Sequence, residues 1–316
     1  MRIALPLLAL LPLLPAQDLR RGLIAADAVV VARAVGHKAH DADVNLHTLQ
    51  VLHDVRGAGG ATAVTVLDWP KLALHQRPSL RQSRLYCLQD ASATAARLGL
   101  PASGAPYFKM VAFAGSNPLV GADVAADATV RFAKVLAAAE TGTPPDTTAQ
   151  ALFTTAVQGD AAVRAEAAKL LTERGDLRAR LGTLQWSQLV ARAAGEIEDV
   201  PYKIALAELC AEQRIDGVFD ALVVGLGEVA DAEYARTVGR IGKLLHGEDA
   251  AQRVLDRLRQ AGQKSTRDTL LLTLGATNTQ AALDALLRMD RKDGAVEAAL
   301  REHRSPQARE AVGTKK

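Results

Sequence analysis

The apolar positions change period once along the chain. Between residues 18 and 113 they recur in short runs rich in β-branched side chains, a pattern that predicts strands. The first run, Ala25 to Ala32, leads into Arg33-Ala34-Val35-Gly36; Val44 to Leu52, Ala63 to Leu67, Tyr86 to Leu88 and Phe108 to Phe113 supply four more. In the second run the alternation slips near Thr48: Val44 and Leu46 share one face, Leu49 and Val51 the other. A slip by one residue predicts a β-bulge there. Thr129 to Ala139 then reads as a helix, with Phe132, Val135, Leu136 and Ala139 along one stripe.

Gly142-Thr143-Pro144-Pro145-Asp146 ends this region, since paired prolines cannot continue a helix. Beyond it the period becomes 3.6. The pattern predicts five helical hairpins: 147–158 with 161–174, 184–194 with 201–212, 217–228 with 232–246, 249–261 with 266–275, and 279–289 with 294–303. In the first of these, Val163, Ala167, Leu170 and Leu171 form the apolar stripe, while Arg164, Glu166, Lys169 and Glu173 are expected to face out. Asp160, Asp199, Asp231, Ser265 and Asp293 stand at the turns as candidate helix caps. A recurrence of roughly 30–40 residues is that of helical-hairpin repeats, which bury their stripes by stacking; an irregular helical bundle is the other packing open to these helices.

Two resemblances refine the picture. Ala26-Asp27-Ala28-Val29-Val30-Val31-Ala32-Arg33, Leu49-Gln50-Val51-Leu52-His53-Asp54-Val55-Arg56-Gly57 and Arg84-Leu85-Tyr86-Cys87-Leu88 resemble the barrel of netrin and tissue-inhibitor-of-metalloproteinase (TIMP)-like domains. The resemblance implies an OB-type barrel. It does not bring protease inhibition with it, because the N-terminal cysteine those inhibitors present to zinc has no counterpart here. Gly159-Asp160-Ala161-Ala162-Val163-Arg164-Ala165-Glu166-Ala167-Ala168-Lys169-Leu170-Leu171 resembles a HEAT repeat, whose second helix opens with Asp, then Val-Arg, then paired alanines. The later hairpins keep the apolar spacing and lose the Asp/Val-Arg signature. The expected fold class is therefore α+β in two domains: a small OB-like β-barrel with a helix over 18–140, followed by an all-α HEAT-like solenoid over 141–316.

Residues 1–17 are expected to form a signal peptide. Arg2 precedes a run of about a dozen apolar residues, Ile3 to Leu14, which ends at Pro15-Ala16-Gln17. The run is too short for a helix across a bilayer of roughly 30 Å, and Pro6 and Pro12 interrupt it. An uncut anchor is the competing reading. The expected location is secreted or periplasmic, with no transmembrane span. Two cysteines exclude a disulfide framework; Cys87 and Cys210 read either as buried thiols or as an inter-domain pair. The net charge of +3 on 316 residues is small: residues 18–140 carry about three excess positive charges and residues 141–316 about one excess negative, and neither half has the concentrated basic stripe that phosphate neutralisation requires. No nucleic-acid partner is expected.

Five of the seven histidines, His37, His40, His47, His53 and His75, precede the linker. His37, His40, Asp41 and Asp43 fall in a predicted hairpin loop and could offer imidazoles and carboxylates to a metal; a solvated turn is the alternative. No zinc-helix motif, nucleophile elbow or phosphate loop is present, and Gly225-Leu226-Gly227 lies in a helical stripe with no preceding strand. His246 stands before Gly247 at a predicted helix C-terminus, where a cation complements the dipole. No catalytic residue, metal site or cofactor is assigned. The function expected is an exported non-enzymatic binding or scaffold protein with a protein partner. The alternative is a metal-dependent enzyme or protease regulator acting through the His-rich first domain.

Overall fold

The structure, a computed structural model, describes residues 17–69, 78, 80–102, 104–111, 118–140, 144–195, 199–226 and 231–313. The chain divides into two compact units, Met1–Gly142 and Thr143–Lys316.

The first unit is a closed five-stranded barrel. Helix α1 (Gln17–Ala25) precedes β1 (Ala28–Ala39), β2 (Asn45–Arg56), β3 (Ala63–Asp68) and β4 (Ser83–Asp90); α2 (Ser92–Arg97), β5 (Tyr107–Met110) and α3 (Ala128–Glu140) follow. The order around the barrel is β1-β2-β3-β5-β4, closed by β1 on β4, with β3 and β5 parallel and the other pairs antiparallel. Alternate residues of β1, Ala28, Val30, Ala32 and Ala34, point inward with Leu49, Val64, Val66, Tyr86, Leu88 and Phe108. Alanines on one strand and larger side chains on the others fill a narrow interior. The sequence does not announce α1, and it starts β1 three residues early. His75, Phe113 and Gly227 lie outside the described residues.

The pattern slip at Thr48 has a different cause from the one expected. β2 keeps its alternation, with His47 and Leu49 buried between exposed Thr48 and Gln50. Leu46 is apolar because it packs on the outer face, against a small cluster of Leu67, Ala91 and Ala95. The bulge lies on the partner strand: Ala34 pairs with Leu49 and Gly36 with Thr48, so Val35 is the extra residue. Two further register shifts leave Leu52 and Val55 of β2 as extra residues. Such bulges add the bending that barrel closure needs.

The second unit is helical throughout the described residues. Five hairpins follow one another: α4 (Pro145–Gln158) with α5 (Ala161–Glu173), α7 (Thr183–Ala194) with α8 (Val200–Glu212), α9 (Val218–Gly225) with α10 (Ala232–His246), α11 (Asp249–Arg259) with α12 (Lys264–Thr277), and α13 (Gln280–Arg288) with α14 (Gly294–Glu302). Two elements had no sequence expectation, the single turn α6 (Gly175–Arg178) and α15 (Pro306–Gly313). First helices touch first helices in chain order, α4, α7, α9, α11, α13, and second helices touch second helices, α5, α8, α10, α12, α14. The result is a two-layered row in which each hairpin packs on its neighbours.

Close spacing in the second-helix layer rests on small residues. A Cβ at Gly239 would stand 2.5 Å from the Thr273 carbonyl oxygen, and one at Gly275 only 2.1 Å from that of Ala299. Glycine is required there by backbone approach and not by a turn.

Polar side chains stitch the row. Asp199 accepts from the Tyr202 amide and Asp231 from the Tyr234 amide, each as an N-cap. Three residues inside each cap, the tyrosine hydroxyl reaches the previous hairpin: Tyr202 donates to the Ala156 carbonyl, and Tyr234 to that of Ala193 at 3.1 Å. A cation one residue further, Arg164 after Asp160 and Lys203 after Asp199, lies over the tyrosine of the following hairpin at 4.8 and 4.7 Å. The Asp160–Arg164 spacing thus recurs once, as Asp199 and Lys203, although Asp160, unlike Asp199, makes no side-chain capping bond. Ser265 is no cap: α12 begins at Lys264 after Gln263. Glu166 is a second correction, since it faces in, 1% exposed, and accepts from Lys169 Nζ at 3.2 Å.

Candidate functional site

The His-rich segment does not assemble as a loop. β1 continues through Ala39, so His37 sits on a strand paired with His47, their rings 4.9 Å apart. His47 Nε2 is 3.3 Å from Asp68 Oδ2, both residues buried. His40 begins the turn, and Asp41 is occupied in shaping it: its Oδ1 accepts from the amides of Asp43 and Val44 at 2.7 and 2.8 Å. The fold therefore brings together His37, His47 and Asp68 in place of His37, His40 and the two aspartates. Among the described residues, no group of three or more His, Cys, Asp or Glu side chains could hold a metal ion. Cys87 and Cys210 are both free and buried, and burial pushes each thiol up to about 12. No described helix is long and apolar enough to cross a membrane. His246 does end α10, where its ring lies 5.4 Å from that of Phe219.

The groups that do converge lie on the second-helix layer. Tyr234, Val238 and Ile241 bury one side of α10. The opposite side carries Arg236, Arg240 and Lys243, four and three residues apart, which places all three on one stripe about 10 Å long. They wall a pocket of about 220 Å³ with Ala276, Thr277 and Asn278 at the end of α12, Glu302 at the end of α14, and Arg304.

Local hydrogen bonds put Arg304 there. Asn278 closes α12 in the left-handed region (φ 50°), and its Oδ1 accepts from the Arg304 amide at 3.0 Å. The preceding His303 is buried, with Nε2 3.0 Å from the Thr279 carbonyl oxygen and Nδ1 3.0 Å from Ser305 Oγ. Two contacts thus pin the turn that carries Arg304.

Charge in the pocket is unbalanced. Arg236 pairs with Glu302 at 2.7 Å, and Lys243 with Glu248 at 2.5 Å. The Lys243 ammonium holds the Glu248 carboxyl below the usual carboxylate range. Arg240 donates to the neutral Thr237 hydroxyl at 2.8 Å. Among the described residues neither Arg240 nor Arg304 stands in an ion pair.

Arg240 also borders a second pocket of about 310 Å³, formed with Thr172, Glu208, Ala211, Glu212, Thr237, Ile241 and Leu244. Leu244 is 62% exposed. Glu208 reaches the surface, yet the groove walls desolvate its carboxyl and raise it, against the pull of Arg240 and Lys169.

The overall charge balance conceals this cluster. The readable signal was the spacing Arg236, Arg240, Lys243 opposite an apolar stripe; the contribution of Arg304, some sixty residues on, left no local signal. Comparison with protein-family models, with curated proteins and with solved structures gives no match to the chain.

Proposed function

We propose that the chain is an exported, non-enzymatic binding or scaffold protein, whose HEAT-like second-helix layer takes a protein partner. One observation carries the reading: the second helices lie side by side in chain order and open on two adjoining pockets that share Arg240. Repeat arrays of this kind offer extended surfaces larger than a single helix pair. The HEAT assignment draws support from an Asp at the N-cap position with a cation four residues beyond it in two successive second helices, α5 and α8. The OB-type, netrin-like assignment of the first unit draws support from the strand order β1-β2-β3-β5-β4. The pockets offer guanidinium, ammonium, amide and carboxylate groups, a set suited to holding charge.

Site-specific photocrosslinking in the cells that express the protein tests the binding role. A benzoylphenylalanine at Leu244, exposed on α10, should give discrete adducts with another protein. The same probe at Leu184, 73% exposed on the first helix α7, should not. Equal labelling at both positions, or none at Leu244, overturns the proposal. Export is tested separately: intact Met1 on protein recovered from the cytoplasm alone would contradict it.

A further inference from the structure

We infer that the segment bound by this layer is an acidic peptide: its carboxylates enter the pocket of Arg236, Arg240, Lys243 and Arg304, and the apolar side chain that follows lies on Ile241 and Leu244. The inference rests on the protein-binding reading and gives that partner a chemistry.

Charge is the first argument. Of the four cations that line the first pocket, Arg236 is paired with Glu302 and Lys243 with Glu248, which leaves the guanidinium groups of Arg240 and Arg304 outside any ion pair among the described residues. Arg240 and Arg304 come from different helical hairpins, and His303 and Asn278 hold the second of them in place. A guanidinium fork binds a carboxylate through two parallel hydrogen bonds, so two of them favour paired carboxylates over a diffuse negative surface.

Size is the second. Pockets for whole cofactors or drug-sized ligands run from about 300 Å³ upward. The first pocket, about 220 Å³, lies below that range and adjoins one of about 310 Å³ across Arg240, an arrangement suited to successive side chains of one extended segment.

The neighbouring pocket supplies the direction. Beyond Arg240 the wall becomes apolar at Ile241 and Leu244, then acidic at Glu208 and Glu212. A segment reading acidic, then apolar, then basic meets complementary groups along the whole path. A nucleic-acid backbone does not: its phosphates would leave a basic stripe only about 10 Å long and meet Glu208 and Glu212.

The test is selection of a random peptide display library on the full-length protein, followed by fluorescence anisotropy with the selected peptides. The pool should be enriched in adjacent carboxylates followed by an apolar residue. Arg240→Glu, and independently Arg304→Gln, should weaken binding about tenfold or more. Arg288→Glu, exposed on the first helix α13, should leave it unchanged. Circular dichroism of each variant guards against misfolding. Acidic peptides that bind Arg240→Glu as well as the parent, or an oligonucleotide that displaces them more readily than an acidic competitor, overturn the inference. A pool without acidic enrichment whose binding is still blocked by substituting Leu244 sinks the acidic chemistry and leaves the protein-binding reading standing. No selected peptide, together with no crosslink at Leu244, removes both.

Discussion

The ammonium group of Lys203 lies 4.7 Å from the centre of the Tyr234 ring in the next hairpin and donates to the Gly195 carbonyl at 2.9 Å. Lys203 is fully buried. A buried cation is retained only where its charge is met by acceptors and polarisable groups, and here those come from two adjacent hairpins. Lys203→Ala should therefore destabilise the helical unit by about 2–4 kcal/mol, and Tyr234→Phe, which loses the bond to Ala193, by about 1 kcal/mol. Exposed Lys292→Ala should change stability by less than about 0.5 kcal/mol. Urea unfolding followed by circular dichroism measures all three.

Buried leucines set the second expectation. Leu170 and Leu206 are 5% and 0% exposed on α5 and α8. Either change to Ala should cost about 2–5 kcal/mol. Hairpins couple to their neighbours, so Leu170→Ala should lower amide protection over 147–212 more than over 279–303. Uniform loss, read by hydrogen exchange, would indicate one cooperative bundle. Lys169→Ala is not the silent control its sequence position suggests. It removes a partner of the buried Glu166 carboxylate and should cost about 1–3 kcal/mol.

Gly275 reverses an ordinary rule. Glycine to alanine inside a helix normally stabilises by about 1 kcal/mol. At Gly275 the new methyl would stand 2.1 Å from the Ala299 carbonyl oxygen, forcing α12 and α14 apart. Gly275→Ala should be destabilising by about 1–3 kcal/mol or more, while Gly262→Ala, with open space around it, should not. Thermal unfolding of the pair distinguishes them.

The barrel should lose stability in mild acid. His53 has its pKa lowered, first by burial and then by Lys134 on α3, with Asp54 opposing. In the unfolded chain the imidazole takes up a proton near pH 6.5, before the folded one does. As pH falls through that value the unfolded state binds more protons, and the folded state loses ground until His53 itself titrates. His53→Asn should flatten the slope between about pH 7 and 5. An unchanged slope in pH-dependent denaturation would contradict it.

Both thiols should be silent in the native protein. With burial holding Cys87 and Cys210 at about 12, neither supplies thiolate at neutral pH. Ellman's reagent should find no reactive thiol before denaturation and two after it. A count of none in denaturant would mean a disulfide.

From the sequence alone came the change from two-residue to 3.6-residue period at the Pro-Pro linker, the five strand runs, the hairpins and most of their buried stripes. These are local properties: a strand or an amphipathic helix writes its burial into its own residues. Tertiary structure decided what depends on a neighbour. Leu46 looked like evidence of a bulge in β2 because its outer-face partners, Leu67 and Ala95, lie far along the chain, and the bulge itself fell on Val35. Glu166 turned inward because Lys169 and the packed layer received it. His37 left its loop because β1 ran on to pair with β2. The basic pocket exists only where α10, the end of α12 and the turn after α14 meet, so Arg240 and Arg304 become one site through packing that no single segment encodes.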